Sequence, residues 1–150
     1  MTYPQRYVPR QLSKRDARTQ RRLLQKSRGM YKKHKYFTRK PLASFRSKPS
    51  NHVAAARQLY KVEKVAPTKE LARKTGCTMA ALKRIVRKGE GAYYSSGSRP
   101  NQTPQSWGLA RLASAVTGGN AAKVDIAILQ EGCDPSKKAL KLANQIIRQK

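Results

Sequence analysis

Seven carboxylates make up the whole acidic inventory of this 150-residue chain: Asp16, Glu63, Glu70, Glu90, Asp125, Glu131 and Asp134. General acid–base work by paired carboxylates needs two that converge. Several read as helix caps or surface positions, and of those left only Asp125 and Glu131 fall close together. His34 and His52 have no Ser or Cys at the spacing of a nucleophile–base pair. Cys77 and Cys133 stand far apart in no CxxC pair, which with two histidines makes a structural zinc site improbable. Two reduced thiols are the expected state, and a bridge closing a long loop is the alternative. The glycine-rich run Lys88-Gly89-Glu90-Gly91-Ala92-Tyr93 lacks the frame of a Walker loop and follows a helix rather than a strand. No enzyme activity, cofactor, metal or small-molecule substrate is expected.

The chemistry the chain does carry is cationic. It has 34 Lys or Arg against 7 Asp or Glu, a formal net charge of +27. Leu, Ile, Val and Phe number 26 of 150 residues, below the roughly one-fifth at which a highly charged chain reads as disordered. Charge of this size repels itself in a compact state unless an anionic partner offsets it. Residues 1–50 hold 16 of the basic residues and 1 acidic one. From Met30 to Lys48 aromatics alternate with cations. The candidate partner-binding residues are Arg15, Arg18, Arg21 and Arg22, then Tyr31, Lys32, Lys33, Lys35, Tyr36, Phe37, Arg39, Lys40, Phe45 and Arg46. Charge-assisted hydrogen bonds with aromatic anchors are the chemistry of that set.

These residues need elements to position them. Residues 1–49 read as a long basic arm, largely extended, and residues 50–150 as a small helical domain; length allows one core, not two. Within the arm, Ser13 with Asp16 three residues on is an N-cap signature. It predicts a helix to Ser27 with Gly29 at its end. Leu12, Ala17, Leu23 and Leu24 are too thin a stripe to hold that helix alone, so it requires a partner surface. In the body, Ser50 caps a helix with Val53, Ala56, Leu59 and Tyr60 on one face. Thr68 opens a second, stopped by Gly76, and Thr78 a third, Met79 to Lys88, stopped by Gly89. Thr103-Pro104 opens a fourth that carries Trp107, Leu112 and Val116. A short segment Val124–Leu129 follows. Asp134-Pro135 then caps a last helix with Leu140, Ala143, Ile146 and Ile147 inward. No segment alternates as a strand does, and the fold class is mostly α.

The sharpest local pattern lies between Leu71 and Val86. Ala72 permits close approach, Gly76 makes a turn, and Leu82 with Ile85 buries the next helix, as in a helix-turn-helix. Lys83, Arg84, Arg87 and Lys88 would line an exposed flank suited to phosphate. Any tight helical hairpin meets the same spacing, so packing alone is the competing reading. The polar run Gly91–Thr103, with Arg99, reads either as a phosphate-binding loop or as a surface loop whose hydroxyls and amides satisfy its own turns.

The run Lys88-Gly89-Glu90-Gly91-Ala92-Tyr93-Tyr94-Ser95-Ser96-Gly97-Ser98-Arg99-Pro100-Asn101-Gln102-Thr103 is followed by Ser106-Trp107-Gly108-Leu109-Ala110-Arg111-Leu112-Ala113-Ser114 and Thr117-Gly118-Gly119. Together these resemble a basic domain of unassigned function that recurs in large double-stranded DNA viruses of algae and amoebae. Tyr36–Lys40, Phe45–Lys48 and Thr75-Gly76-Cys77 are similar to it too. The resemblance carries no catalytic or ligand residues; it implies a virion or virus-factory setting.

The expected function is therefore a minor capsid or cement protein. Its body would dock on major and other minor capsid proteins, and its arm would order between neighbouring subunits. The alternative is a DNA-binding or genome-condensing virion protein. A membrane contact through the arm is weaker, because no helix has the large apolar face that mode needs. No apolar run reaches the ~20 residues of a membrane span, and Met1–Arg6 does not read as a signal peptide.

Overall fold

The computed structural model describes residues 2–47 and 50–149. Lys48 and Pro49, the end of the expected arm, lie outside the described residues. Eight helices follow one another among those described: α1 Lys14–Lys32, α2 Asn51–Tyr60, α3 Lys69–Thr75, α4 Met79–Ser95, α5 Pro104–Val116, α6 Asn120–Val124, α7 Ile126–Gly132 and α8 Lys138–Arg148. They are grouped in two compact units, Met1–Lys48 with Glu90–Trp107, and Pro49–Gly89 with Gly108–Lys150.

Capping chemistry accounts for most of the helix starts. The side chains of Ser13, Ser50 and Thr68 accept hydrogen bonds from the backbone N–H of Asp16, Val53 and Leu71. Thr78 Oγ1 accepts from Ala81 N. At α5 the cap is reciprocal, with Ser106 N donating to Thr103 Oγ1 and Thr103 N donating to Ser106 Oγ. Each satisfies donors that the first helical turn leaves orphaned.

Three expectations about boundaries need correction. Helix α1 does not stop near Ser27 but runs through Gly29 to Lys32, where the Lys33 backbone N–H donates to Met30 O and closes it; Gln20, Leu23, Leu24 and Ser27 are its buried residues. Helix α4 runs through Gly89 and Gly91 to Ser95. Gly89 is there for proximity: a Cβ on it would come within 2.6 Å of the Gly108 Cα of α5. Helix α8 begins three residues after the Asp134-Pro135 expected to cap it. The Asp134 carboxylate instead accepts from the N–H and hydroxyl of Ser136, closing a local turn. On α8 Leu140 and Ala143 are buried, but Ile147 is exposed.

The unit formed by 49–89 and 108–150 holds a continuous apolar core. It includes Ala56, Tyr60, Leu71, Leu82, Ile85, Leu112, Val116, Leu129 and Leu140. α3 and α4 flank the turn Gly76-Cys77-Thr78, where Gly76 takes a left-handed conformation (φ 79°). Cys77 and Cys133 are joined in a disulfide, correcting the expectation of free thiols. Thr78 N donates to Gly132 O and Asp134 N to Gly76 O, so the bridge sits within a short antiparallel backbone pairing. Asp125, between α6 and α7, is a buried carboxylate. It takes two hydrogen bonds from Arg111, at 2.8 and 2.7 Å, and lies 3.5 Å from Lys88 Nζ.

The unit formed by 1–48 and 90–107 is smaller. Tyr7, Leu12, Leu23, Leu24, Leu42 and Tyr93 are buried in it. Gly97, at φ +140°, is a close approach: a Cβ there would lie 2.8 Å from Leu24 Cδ2 and 3.0 Å from the Tyr7 ring. The expected arm is thus only partly extended. Its helix finds apolar partners in residues 90–107 of the same chain.

Candidate functional site

Aromatic and cationic residues at 30–47 sort into an inner and an outer set. Arg39, expected to meet a partner, is the inner cation, only 6% exposed. Its Nη1 donates to Ser27 Oγ at 2.9 Å and to Tyr93 O at 3.0 Å, and its Nη2 to Ser98 Oγ at 2.9 Å. Its guanidinium lies 3.8 Å from the centre of the Tyr93 ring. Among the described residues it forms no ion pair, so burial pulls its pKa below the usual guanidinium value. The Arg39 backbone N–H donates to Tyr93 Oη.

The polar run 91–103 is spent on the same task. Asn101 accepts from Leu42 N through Oδ1 and donates through Nδ2 to Leu42 O and Phe45 O. Arg28 Nε donates to Ser96 O. Neither expectation for this loop holds in full. Ser98 Oγ and the Asn101 amide bond N-terminal residues, while Gln102 and Thr103 bond Ser106 within their own turn. Arg99, the single cation of the run, is exposed.

The outer set is large. Arg15, Arg18, Arg21 and Arg22 are exposed along α1, and Lys32, Lys33, Lys35, Tyr36, Lys40 and Arg46 follow. None of these cations forms an ion pair among the described residues. Asp16, the one carboxylate on α1, is occupied by the backbone N–H and hydroxyl of Ser44. Those bonds hold its pKa below the ordinary aspartate range. Arg10 and Lys14, which sequence reasoning passed over, border an open groove of about 470 Å³ with Arg18 and Arg21. Their signal was present in the sequence: Lys14, Arg18 and Arg21 share a face at helical spacing.

Aromatic placement is likewise divided. Phe37 carries Lys26 Nζ 4.5 Å above its ring, and Phe45 is half-buried. Tyr31, Tyr36 and Tyr94 form one cluster. Tyr31 and Tyr94 lie parallel at 6.3 Å, and Tyr36 stands 5.1 Å from Tyr94. Tyr94 was not among the expected site residues.

In the other unit, the flank of α4 is less free than its composition implies. Lys83, Arg84, Arg87 and Lys88 are all exposed. Arg84, however, pairs with Glu131 at 3.0 Å, and Lys88 with Asp125. Lys83 and Arg87 are left, one helical turn apart.

Residues 4–139 match a family described only as a family of unknown function (DUF5824). The chain belongs to this family. No curated protein and no solved structure matches it. Among the described residues no three His, Cys, Asp or Glu side chains cluster as metal ligands would, and no helix is long and apolar enough to cross a membrane.

Proposed function

We propose that this protein binds the phosphate backbone of nucleic acid through the exposed face of α1, as a genome-associated component of a large DNA virus. The observation that carries the reading is the row Arg15, Arg18, Arg21 and Arg22, exposed and without ion pairs. It continues to Lys32 and Lys33, about 27 Å along the helix at 1.5 Å per residue. A rigid helix that presents arginines at 3- and 4-residue spacing meets phosphates without ordering a disordered tail, and releases condensed counterions as it does so. Lys83 and Arg87 offer a smaller second contact. The helix-turn-helix-like flank has too few unpaired cations to carry sequence readout.

The minor capsid reading stands second. The resemblance to a viral domain favours it, and the same cations would meet acidic capsomer surfaces. Its threading arm has weaker support, because Arg39, Leu42 and Phe45 are held by the chain's own residues 93–101.

Duplex binding measured by fluorescence anisotropy across a salt series tests the proposal. Affinity should fall log-linearly with salt. Replacing Arg15, Arg18 and Arg22 by Glu should reduce the slope by about 3, at roughly 0.9 per phosphate contact. Exchanging Lys123, Lys138 and Lys141 for Glu changes net charge equally and should leave the slope near the parent value. No duplex retention at low salt, or equal effects of the two triple variants, would overturn the reading. Stoichiometric recovery with stripped capsids would then favour the shell.

A further inference from the structure

We infer that the tyrosine cluster at the end of α1 is a stacking platform for unpaired bases, which makes single-stranded nucleic acid the preferred substrate class. The inference rests on the backbone-binding proposal and deepens it.

The platform is built by the backbone. After α1 the chain reverses: Lys33 N and Lys35 N donate to Met30 O, and His34 N donates to Tyr31 O. His34 sits in the left-handed region at φ 60°, a conformation rare for a residue with a Cβ. That turn returns Tyr36 over the helix it has just left, 6.1 Å from Tyr31 and 5.1 Å from Tyr94. Behind them Tyr94 meets Tyr93 edge-on at 5.3 Å, and Tyr93 carries the Arg39 guanidinium over its ring. The series runs from a buried cation through a buried tyrosine to an outermost ring, Tyr36, that is 67% exposed.

Tyr36, exposed and packed on one side against the Tyr31 and Tyr94 rings, presents free aromatic surface. Lys32, Lys33 and Lys35 immediately precede it in sequence and are exposed. This combination of π-surface and neighbouring cations suits a base stacked on the ring with its phosphates on the lysines. Bases within a duplex are already stacked and offer no free face. A duplex would therefore gain only the phosphate contacts, which are shared by both forms.

The test compares a labelled oligothymidylate with a duplex of equal phosphate count, using the full chain, Tyr36→Ala, Tyr36→Trp and the triple variant Lys32→Ala, Lys33→Ala, Lys35→Ala. Tyr36→Ala should weaken single-strand binding about 5- to 160-fold, the range for losing one base–aromatic stack. Its salt slope and duplex affinity should stay unchanged, and Tyr36→Trp should restore the single-strand preference. The triple lysine variant should lower the slope for both ligands. Equal loss on both ligands, or no loss on either, would overturn the inference while leaving the phosphate-binding proposal standing. If the full chain bound neither ligand, both would fall. Because Tyr36 is exposed, unchanged far-UV circular dichroism is expected for Tyr36→Ala, and inorganic polyphosphate should compete equally with it and the parent.

Discussion

Arg39 is a buried cation held by neutral oxygens. Its three acceptors, Ser27 Oγ, Tyr93 O and Ser98 Oγ, come from three separated stretches of chain, so one side chain ties them together. Arg39→Met would leave those acceptors unpaired, at about 3 kcal/mol in all. Arg39→Lys would recover little, since an ammonium cannot reproduce the planar fork. Urea unfolding followed through Trp107, which packs edge-on against Tyr7, should show both losses. Asp125 is the corresponding anion in the other unit. Asp125→Ala would strand the half-buried Arg111, for about 2–3 kcal/mol read by thermal denaturation. At Asp16 the hydrogen bonds from Ser44 depress the carboxyl pKa in the folded state. Their contribution is therefore complete above the ordinary value of 3.8 and fades as pH falls through the lowered one. The protection factor of the Ser44 amide, which divides out the intrinsic pH dependence of exchange, should fall in that acid range and hold at neutral pH. Arg39 was singled out beforehand as a partner contact, but its inward role was not legible. A segment in which aromatics and cations simply alternate has no helical or strand period to show which cation turns inward.

At the scale of the elements, glycines within helices separate packing from propensity. Gly29 and Gly91 have open space where a Cβ would go, while Gly89 meets the Gly108 backbone. Gly29→Ala should therefore stabilise the protein by up to about 1 kcal/mol, from helix propensity alone. Gly89→Ala should destabilise it by about 1–3 kcal/mol, because two helix backbones must separate to admit the methyl. Opposite shifts in denaturation midpoint would verify the distinction. Most helix starts were readable because Ser, Thr and Pro act locally, α8 excepted, and Gly76 ends α3 as expected. The end of α4 was not readable: whether Gly89 terminates a helix or lets a neighbour in depends on Gly108, 19 residues on.

For the whole molecule, the sequence correctly indicates a mostly helical chain, but its division at residues 49 and 50 misses that 90–107 group with the N-terminal residues. It overstates the isolation of the cationic N-terminal residues. That error has a physical origin, since Leu23 and Leu24 were counted as too few to bury, while Tyr93, Gly97 and Pro100 were assigned to a loop. Once those meet in one unit, a modest stripe suffices. Polar groups such as Asn101 then replace apolar area in holding the backbone. The disulfide was left open because spacing alone does not reveal that Thr78 and Gly132 pair through their backbones. Reducing it, or exchanging both cysteines for Ser, should cost about 2–4 kcal/mol for a loop of this length. Melting curves with and without dithiothreitol would measure that loss.

The Cys77–Cys133 bond spans 56 residues of sequence, and the whole of Glu90–Trp107 lies inside that interval. The polypeptide is therefore a covalent ring with two tails. A protease that cuts once anywhere between the two cysteines opens the ring without freeing either fragment. The severed halves should migrate together on a non-reducing gel and part only when thiol is added.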